Sequence, residues 1–207
     1  MMATHTNKDS AHIMHLIKKN TIGAEIGVWF GNTSTQFLKK GLKKFYMVDP
    51  YSVEPYKENS EMSYQEWLAK YQPITGEFAE AGFKTYYERV WKEIQTRFAP
   101  LEEVELCRET SDSFFERYLA SKGHGNFEML DWIYIDGDHS YESCIKDLNN
   151  AKEIVKPGGL IIGDDYGWPD AKWQKKGVTK AVNEFLLKTD FGVTRHGMTQ
   201  YVIKVEV

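Results

Sequence analysis

Asp136, Asp138 and His139 fall within four residues of one another, and a little further on Asp164 and Asp165 stand side by side. Carboxylates bind hard cations, and an imidazole that titrates near neutrality can take a proton from a reacting group. Both clusters close a short apolar run: Asp131-Trp-Ile-Tyr-Ile leads into Asp136, and Leu160-Ile-Ile-Gly leads into Asp164. Runs this short, bounded by polar residues, predict buried strands of a parallel sheet. Ligands of open α/β sheets gather at the carboxyl ends of the strands, which is where these acids and the imidazole fall. That is more charge than packing alone requires.

A second constellation precedes them. Ala24-Glu25-Ile26-Gly27-Val28-Trp29 reads as a strand, followed by Phe30-Gly31-Asn32-Thr33-Ser34 and a helix reaching about residue 40. Two glycines at this spacing let the backbone approach a ligand, and the helix start presents unpaired N–H groups. The next apolar run, Phe45-Tyr46-Met47-Val48, ends at Asp49. An acid at the end of the second strand is where a ribose diol is held in nucleoside sites, because one carboxylate accepts from both hydroxyls.

Around these, residues 10–19 read as an amphipathic helix carrying His12 and His15, which suit surface or packing roles. Residues 51–100 form a helical insertion, long for a crossover, with helices expected at 64–71 and 83–98 joined through Pro73 and Gly76. Its length suits a cover over the site or a contact between copies of the chain, so a homo-oligomer stays open. A third strand covers 104–109, with Thr110, Ser111 and Asp112 at its carboxyl end. A helix from 141 to 155 stops at Pro157-Gly158-Gly159, and the fifth strand follows at 160–163. A loop with Trp168 and Trp173, a helix at 178–188, and alternating segments 191–196 and 200–207 complete the chain as a terminal antiparallel pair. The fold class is therefore α/β: a Rossmann-like, doubly wound, mostly parallel sheet. No linker divides these elements, and 207 residues fit one domain, 1–207.

Composition narrows the setting. Hydrophobic content of 42% and charged content of 27% are ordinary for a globular chain, and no apolar run approaches the length of a membrane span. A net charge of −4 argues against a broad nucleic-acid surface. The two cysteines, Cys107 and Cys144, read as buried thiols, which fits a reducing, cytoplasmic compartment.

Glu25-x-Gly27-x-x-x-Gly31-x-Thr33, Asp136-Gly-Asp-His139 and Gly163-Asp164-Asp165 together resemble the class I S-adenosylmethionine-dependent methyltransferases. More narrowly, residues 20–205 resemble the metal-dependent O-methyltransferases, the group of catechol O-methyltransferase and the macrolide-sugar O-methyltransferases. The resemblance implies that Glu25, Gly27, Gly31 and Thr33 hold the methionine end of S-adenosylmethionine. It places Asp49 on the ribose, and Ser111 and Asp112 along the adenine. Asp136, Asp164 and Asp165 fall where that family binds Mg²⁺, and His139 where it carries its general base. Trp29 departs from the middle glycine of many methyltransferases. Oxygen donors without a Cys pair favour Mg²⁺ or Mn²⁺ over Zn²⁺.

The implied acceptor is a hydroxyl of a small molecule: a sugar, a phenol or a polyketide-like compound. Other classes remain to be set against it. A nicotinamide oxidoreductase would share the glycine turn and the ribose acid but would not need Asp164 and Asp165, and the full Gly-x-Gly-x-x-Gly spacing is missing. A non-catalytic module that binds S-adenosylmethionine, or a metal-assisted oxygenase on the same scaffold, would share more of these residues.

Overall fold

The computed structural model describes residues 9–57, 63–76, 79–123, 125, 127–167 and 176–206. Strands β1 (Ile22–Ile26), β2 (Lys44–Val48), β3 (Val104–Cys107), β4 (Leu130–Ile135) and β5 (Val155–Gly163) run parallel. Strands β6 (Val193–His196) and β7 (Gln200–Lys204) close the sheet, with β7 antiparallel to both its neighbours. The order across the seven-stranded sheet is β3-β2-β1-β4-β5-β7-β6. The direction of winding reverses between β1 and β4, the place where such sheets open a crevice.

Helices α1 (Asn32–Leu38), α2 (Glu54–Lys57), α3 (Tyr64–Thr75), α4 (Glu80–Phe98), α5 (Ser111–Ala120), α6 (Tyr141–Ile154) and α7 (Lys176–Thr189) link the strands. Side chains alternate faces along a strand, and β4 shows the result. Ile133 and Ile135 join the core under α5, α6 and α7. Trp132 and Tyr134 join the opposite core, with Phe37 of α1 and the stripe Phe83, Tyr86, Tyr87, Val90, Ile94 and Phe98 of α4. The Trp132 indole lies on Gly23 of the adjacent strand, where no side chain could fit, and donates to Thr21 Oγ1 at 3.1 Å.

Three elements depart from their sequence expectations. The N-terminal helix is a 3₁₀ stretch, Asp9–Leu16, that ends before Lys18; Ile13 and Ile17 bury against the sheet, and left-handed Asn20 turns the chain into β1. His12 lies over Gly197 and His15 beside His196, both at the exposed surface. Helix α3 runs through Pro73 to Thr75 and stops at left-handed Gly76, so the proline costs one backbone bond near a helix end. Strand β5 begins at Val155, directly after α6, because Pro157 drives the preceding residue to extended backbone. Gly158 and Gly159 then form a bulge held by Val205.

Candidate active site

The sheet register places Val48, Ile26, Ile135 and Gly163 in one row across β2, β1, β4 and β5. Each strand's next residue, Asp49, Gly27, Asp136 and Asp164, therefore lies along the same carboxyl edge. Gly27 has a positive φ of 88°, and a Cβ there would run into the Asp136 carbonyl, so the first glycine is required by the closeness of β4's exit. Gly31 also has positive φ, and a Cβ would press on Phe98.

Glu25, inside β1, is 1% exposed and accepts a hydrogen bond from Ser34 of α1. Burial holds its carboxyl well above the ordinary range; the charges of Asp136 and Asp49 add to that, and Ser34 opposes it. Thr33 is buried in the first turn of α1. Asp49 accepts Trp29 N at 2.9 Å on Oδ2 and Tyr51 N at 2.8 Å on Oδ1. Burial raises its pKa, and those backbone donors resist the rise. Trp29 and Tyr51 both adopt left-handed backbone to deliver these bonds, and Tyr51 closes the loop by donating to the Trp29 carbonyl at 3.1 Å.

Ser111 opens α5 beside Asp147 of α6. Asp112 is exposed and paired with Lys146 at 2.6 Å. The two residues thus sit at the carboxyl end of β3 and face α6.

Across the switch point, His139 lies between two acids: Nε2 is 3.2 Å from Asp136 Oδ1, and Nδ1 is 3.1 Å from Asp165 Oδ2. Ligand atoms of Asp136, His139 and Asp165 all fall within 4.8 Å of one another. Burial pushes the Asp136 carboxyl up to about 6; His139 opposes the rise, and Asp164 and Asp165 reinforce it. Asp165 carries a positive φ of 64°, a strained conformation for a non-glycine residue and one that clusters at functional sites.

Asp164 stands outside that compact group. Its Oδ1 accepts Thr199 Oγ1 and, at 2.7 Å, Asp165 N; its Oδ2 lies 3.4 Å from Tyr134 Oη. Asp138 braces the turn into α6, whose cap is Ser140, accepting from Ser140 N and Oγ and, at 3.0 Å, from Ser143 Oγ. Two carboxylates and an imidazole at one point, with a third carboxylate beside them, suit a divalent cation or a relayed proton.

Helix α3 reaches over this edge. Tyr71 packs edge-on to Trp29 at 6.1 Å and against Trp67 at 5.1 Å. Burial pushes its phenol up to about 12, with help from the charges of Asp136, Asp138 and Asp165. The loop with Trp168 and Trp173 lies outside the described residues at both tryptophans. Sequence reasoning missed Ser34, Asp147 and Thr199. Ser34 sits one residue past the glycine motif and could have been found there; the other two meet the site only through packing between distant elements.

Residues 24–166 match the family model described as a methyltransferase domain. An uncharacterized protein of Acanthamoeba polyphaga mimivirus is 38% identical over 63 residues, 30% of this chain and 27% of that protein. The chain thus matches about a quarter of that relative's length. Among solved structures, the N-methyltransferase NodS from Bradyrhizobium japonicum WM9 aligns with a TM-score of 0.58 at 11% identity, covering 96% of this chain and 94% of its own. The O-methyltransferase from Bacillus cereus, in complex with S-adenosylhomocysteine, aligns at 0.55 and 14% identity, covering 100% and 82%. An rRNA methylase from Streptococcus thermophilus aligns at 0.53 and 11% identity, covering 100% of each chain. These likenesses show the fold. With the family match over residues 24–166, they make this chain a member of the methyltransferase-domain family, built on the class I S-adenosylmethionine-dependent fold.

Proposed function

We propose that this chain moves a methyl group from S-adenosylmethionine to a hydroxyl of a small molecule, with a divalent cation, Mg²⁺ or Mn²⁺, at Asp136, Asp164 and Asp165. The observation that carries the reading is the imidazole of His139 held between Asp136 and Asp165 at the end of β4 and β5. A base there meets an acceptor hydroxyl beside the switch point, where the fold brings the cofactor.

On this reading Glu25 faces the methionine amine, with Gly27, Gly31 and Thr33 shaping the turn around it. Asp49 takes the ribose hydroxyls, its carboxylate already oriented by the Trp29 and Tyr51 amides. Ser111 and Asp112 flank the adenine. Bound at the acids, a cation would supply positive charge that favours a deprotonated acceptor oxygen. His139 takes the hydroxyl proton on one ring nitrogen while the acid on the other stabilises the imidazolium. The acceptor oxygen then attacks the methyl carbon, the sulfonium–carbon bond breaks, and S-adenosylhomocysteine leaves. Alignment of donor and acceptor supplies most of the rate. Net charge of −4 weighs against RNA as the acceptor. The reading takes the 207 residues as one domain.

Calorimetry with S-adenosylmethionine and a methyl-transfer screen of sugars, phenols and polyols, with and without EDTA, tests it. Binding of the cofactor and EDTA-sensitive methylation are expected. Asp49→Ala should weaken cofactor binding by about 1–3 kcal/mol, the scale of charged hydrogen bonds. His139→Ala should keep cofactor affinity and lose about 10²–10⁴-fold in rate. Methylation unaffected by EDTA would remove the cation from the mechanism and leave His139 to act alone.

A further inference from the structure

The geometry points to Thr199, at the tip of the β6–β7 hairpin, as a positioning residue for the strand-end acids, reaching them through Asp164. This role rests on the cation reading above.

Thr199 is 2% exposed and grips the 164–166 turn at two points. Its hydroxyl donates to Asp164 Oδ1, and its carbonyl accepts Tyr166 N at 2.8 Å. The same Asp164 oxygen accepts Asp165 N at 2.7 Å. A continuous chain of bonds therefore runs from the hairpin through Asp164 to the backbone of Asp165, whose carboxylate lies 3.1 Å from His139 Nδ1.

Asp165 needs such a hold. A non-glycine residue at φ 64° persists only where its surroundings impose the conformation. The hairpin imposes it from several directions. Arg195 donates to the Met198 carbonyl at 2.8 Å, sits over the Tyr166 ring at 5.7 Å, and leaves so little room at Gly167 that a Cβ would come within 2.9 Å of its guanidinium. Gly167 N, in turn, donates to Thr179 of α7 at 2.9 Å. Thr199 is the member of this grip that touches a site acid directly. With both Thr199 and Asp165 N on Oδ1, Oδ2 turns toward β4, where it accepts from Tyr134 Oη at 3.4 Å. The hydroxyl thus fixes which way the Asp164 carboxylate faces, and bonds of this kind behind a ligand set govern how well the set binds.

Mn²⁺ affinity measured by electron paramagnetic resonance on the full chain tests the role, with Thr199→Val removing the hydroxyl at nearly constant shape and Thr199→Ser restoring it. Thr199→Val should lower Mn²⁺ affinity about tenfold or more, Thr199→Ser should recover most of it, and calorimetric S-adenosylmethionine affinity should stay at the wild-type value. In an Asp164→Asn background the valine change should add nothing. Unchanged Mn²⁺ affinity in Thr199→Val, or an equal loss in the Asp164→Asn background, overturns the role. Parallel loss of cofactor affinity and melting temperature without rescue by serine also overturns it, since that marks a purely structural residue. Wild-type protein that binds S-adenosylmethionine but no Mn²⁺ removes the cation reading and this role together; loss confined to the Thr199 result leaves the cation reading standing.

Discussion

Asp147, on α6, is 2% exposed and has no hydrogen-bond partner for Oδ1 among the described residues. Burial, with the charges of Asp112 and Asp138, pushes its pKa up to about 7. In the unfolded chain the group titrates near the ordinary aspartate value of about 3.9. Between those values the folded state keeps a proton that the unfolded state has lost, so this group's contribution to stability is full below about pH 4 and declines until about pH 7. The total span is at most about 4 kcal/mol. Asp147→Asn keeps the size and shape of the side chain and abolishes the titration. It should melt higher than wild type at pH 8 and close to it at pH 4, with the difference growing between; equal melting curves at pH 8 would show that Asp147 is not strained by its burial. The residue illustrates what side-chain chemistry in a sequence reveals and what it hides. Asp136, His139 and Asp165 announced themselves because each lies within four residues of the end of an apolar run, and a strand's end is a fixed address. Asp147 lies mid-helix, and Thr199 lies in a hairpin turn; nothing local marks either, since their partners come from elements far along the chain.

Within single elements, apolar runs of five or so residues located the strands because a strand buried on both faces has no room for polar side chains. Boundaries were less legible where one strong signal had to be weighed against packing. Pro157 reads as a stop, yet it sits inside β5 in a bulge; Pro73 reads as a break, yet α3 continues past it. The glycine turn was legible as a motif, but its reason was only half so. Sequence reads Gly27 as room for a ligand, whereas the structure also shows the Asp136 carbonyl where its Cβ would stand. Gly27→Ala should therefore combine backbone strain of about 1–2 kcal/mol at positive φ with the cost of overpacking, about 1–3 kcal/mol. Gly76→Ala provides the control: its φ is 74°, and among the described residues nothing lies within 4 Å of a Cβ. Urea unfolding should show Gly76→Ala losing only the strain, and Gly27→Ala losing clearly more together with its cofactor affinity. Equal losses at the two sites would mean that the β1 and β4 exits can part without cost.

At the scale of the whole molecule, the parallel sheet holds one edge rigid while the insertion between β2 and β3 crosses above it. The two halves of that insertion are anchored differently. Helix α4 buries Phe83, Tyr86, Tyr87, Val90, Ile94 and Phe98 against the sheet. Helix α3 has Trp67 as its fully buried aromatic and meets the site through Tyr71, which touches Trp29 on the glycine turn. Few buried contacts and a position over the strand-end acids are the properties of an element that opens cheaply. An acceptor lodged under Tyr71 would add contacts to α3 and none to α4. Hydrogen exchange should then slow in residues 64–75 when S-adenosylmethionine and a methylatable acceptor are both present, while exchange in residues 80–98 should not change. The cofactor alone should protect the β1–α1 turn and leave α3 largely unchanged, because Trp29 meets α3 through its ring contact with Tyr71. Identical exchange of α3 with and without acceptor would make the helix a fixed wall of the site.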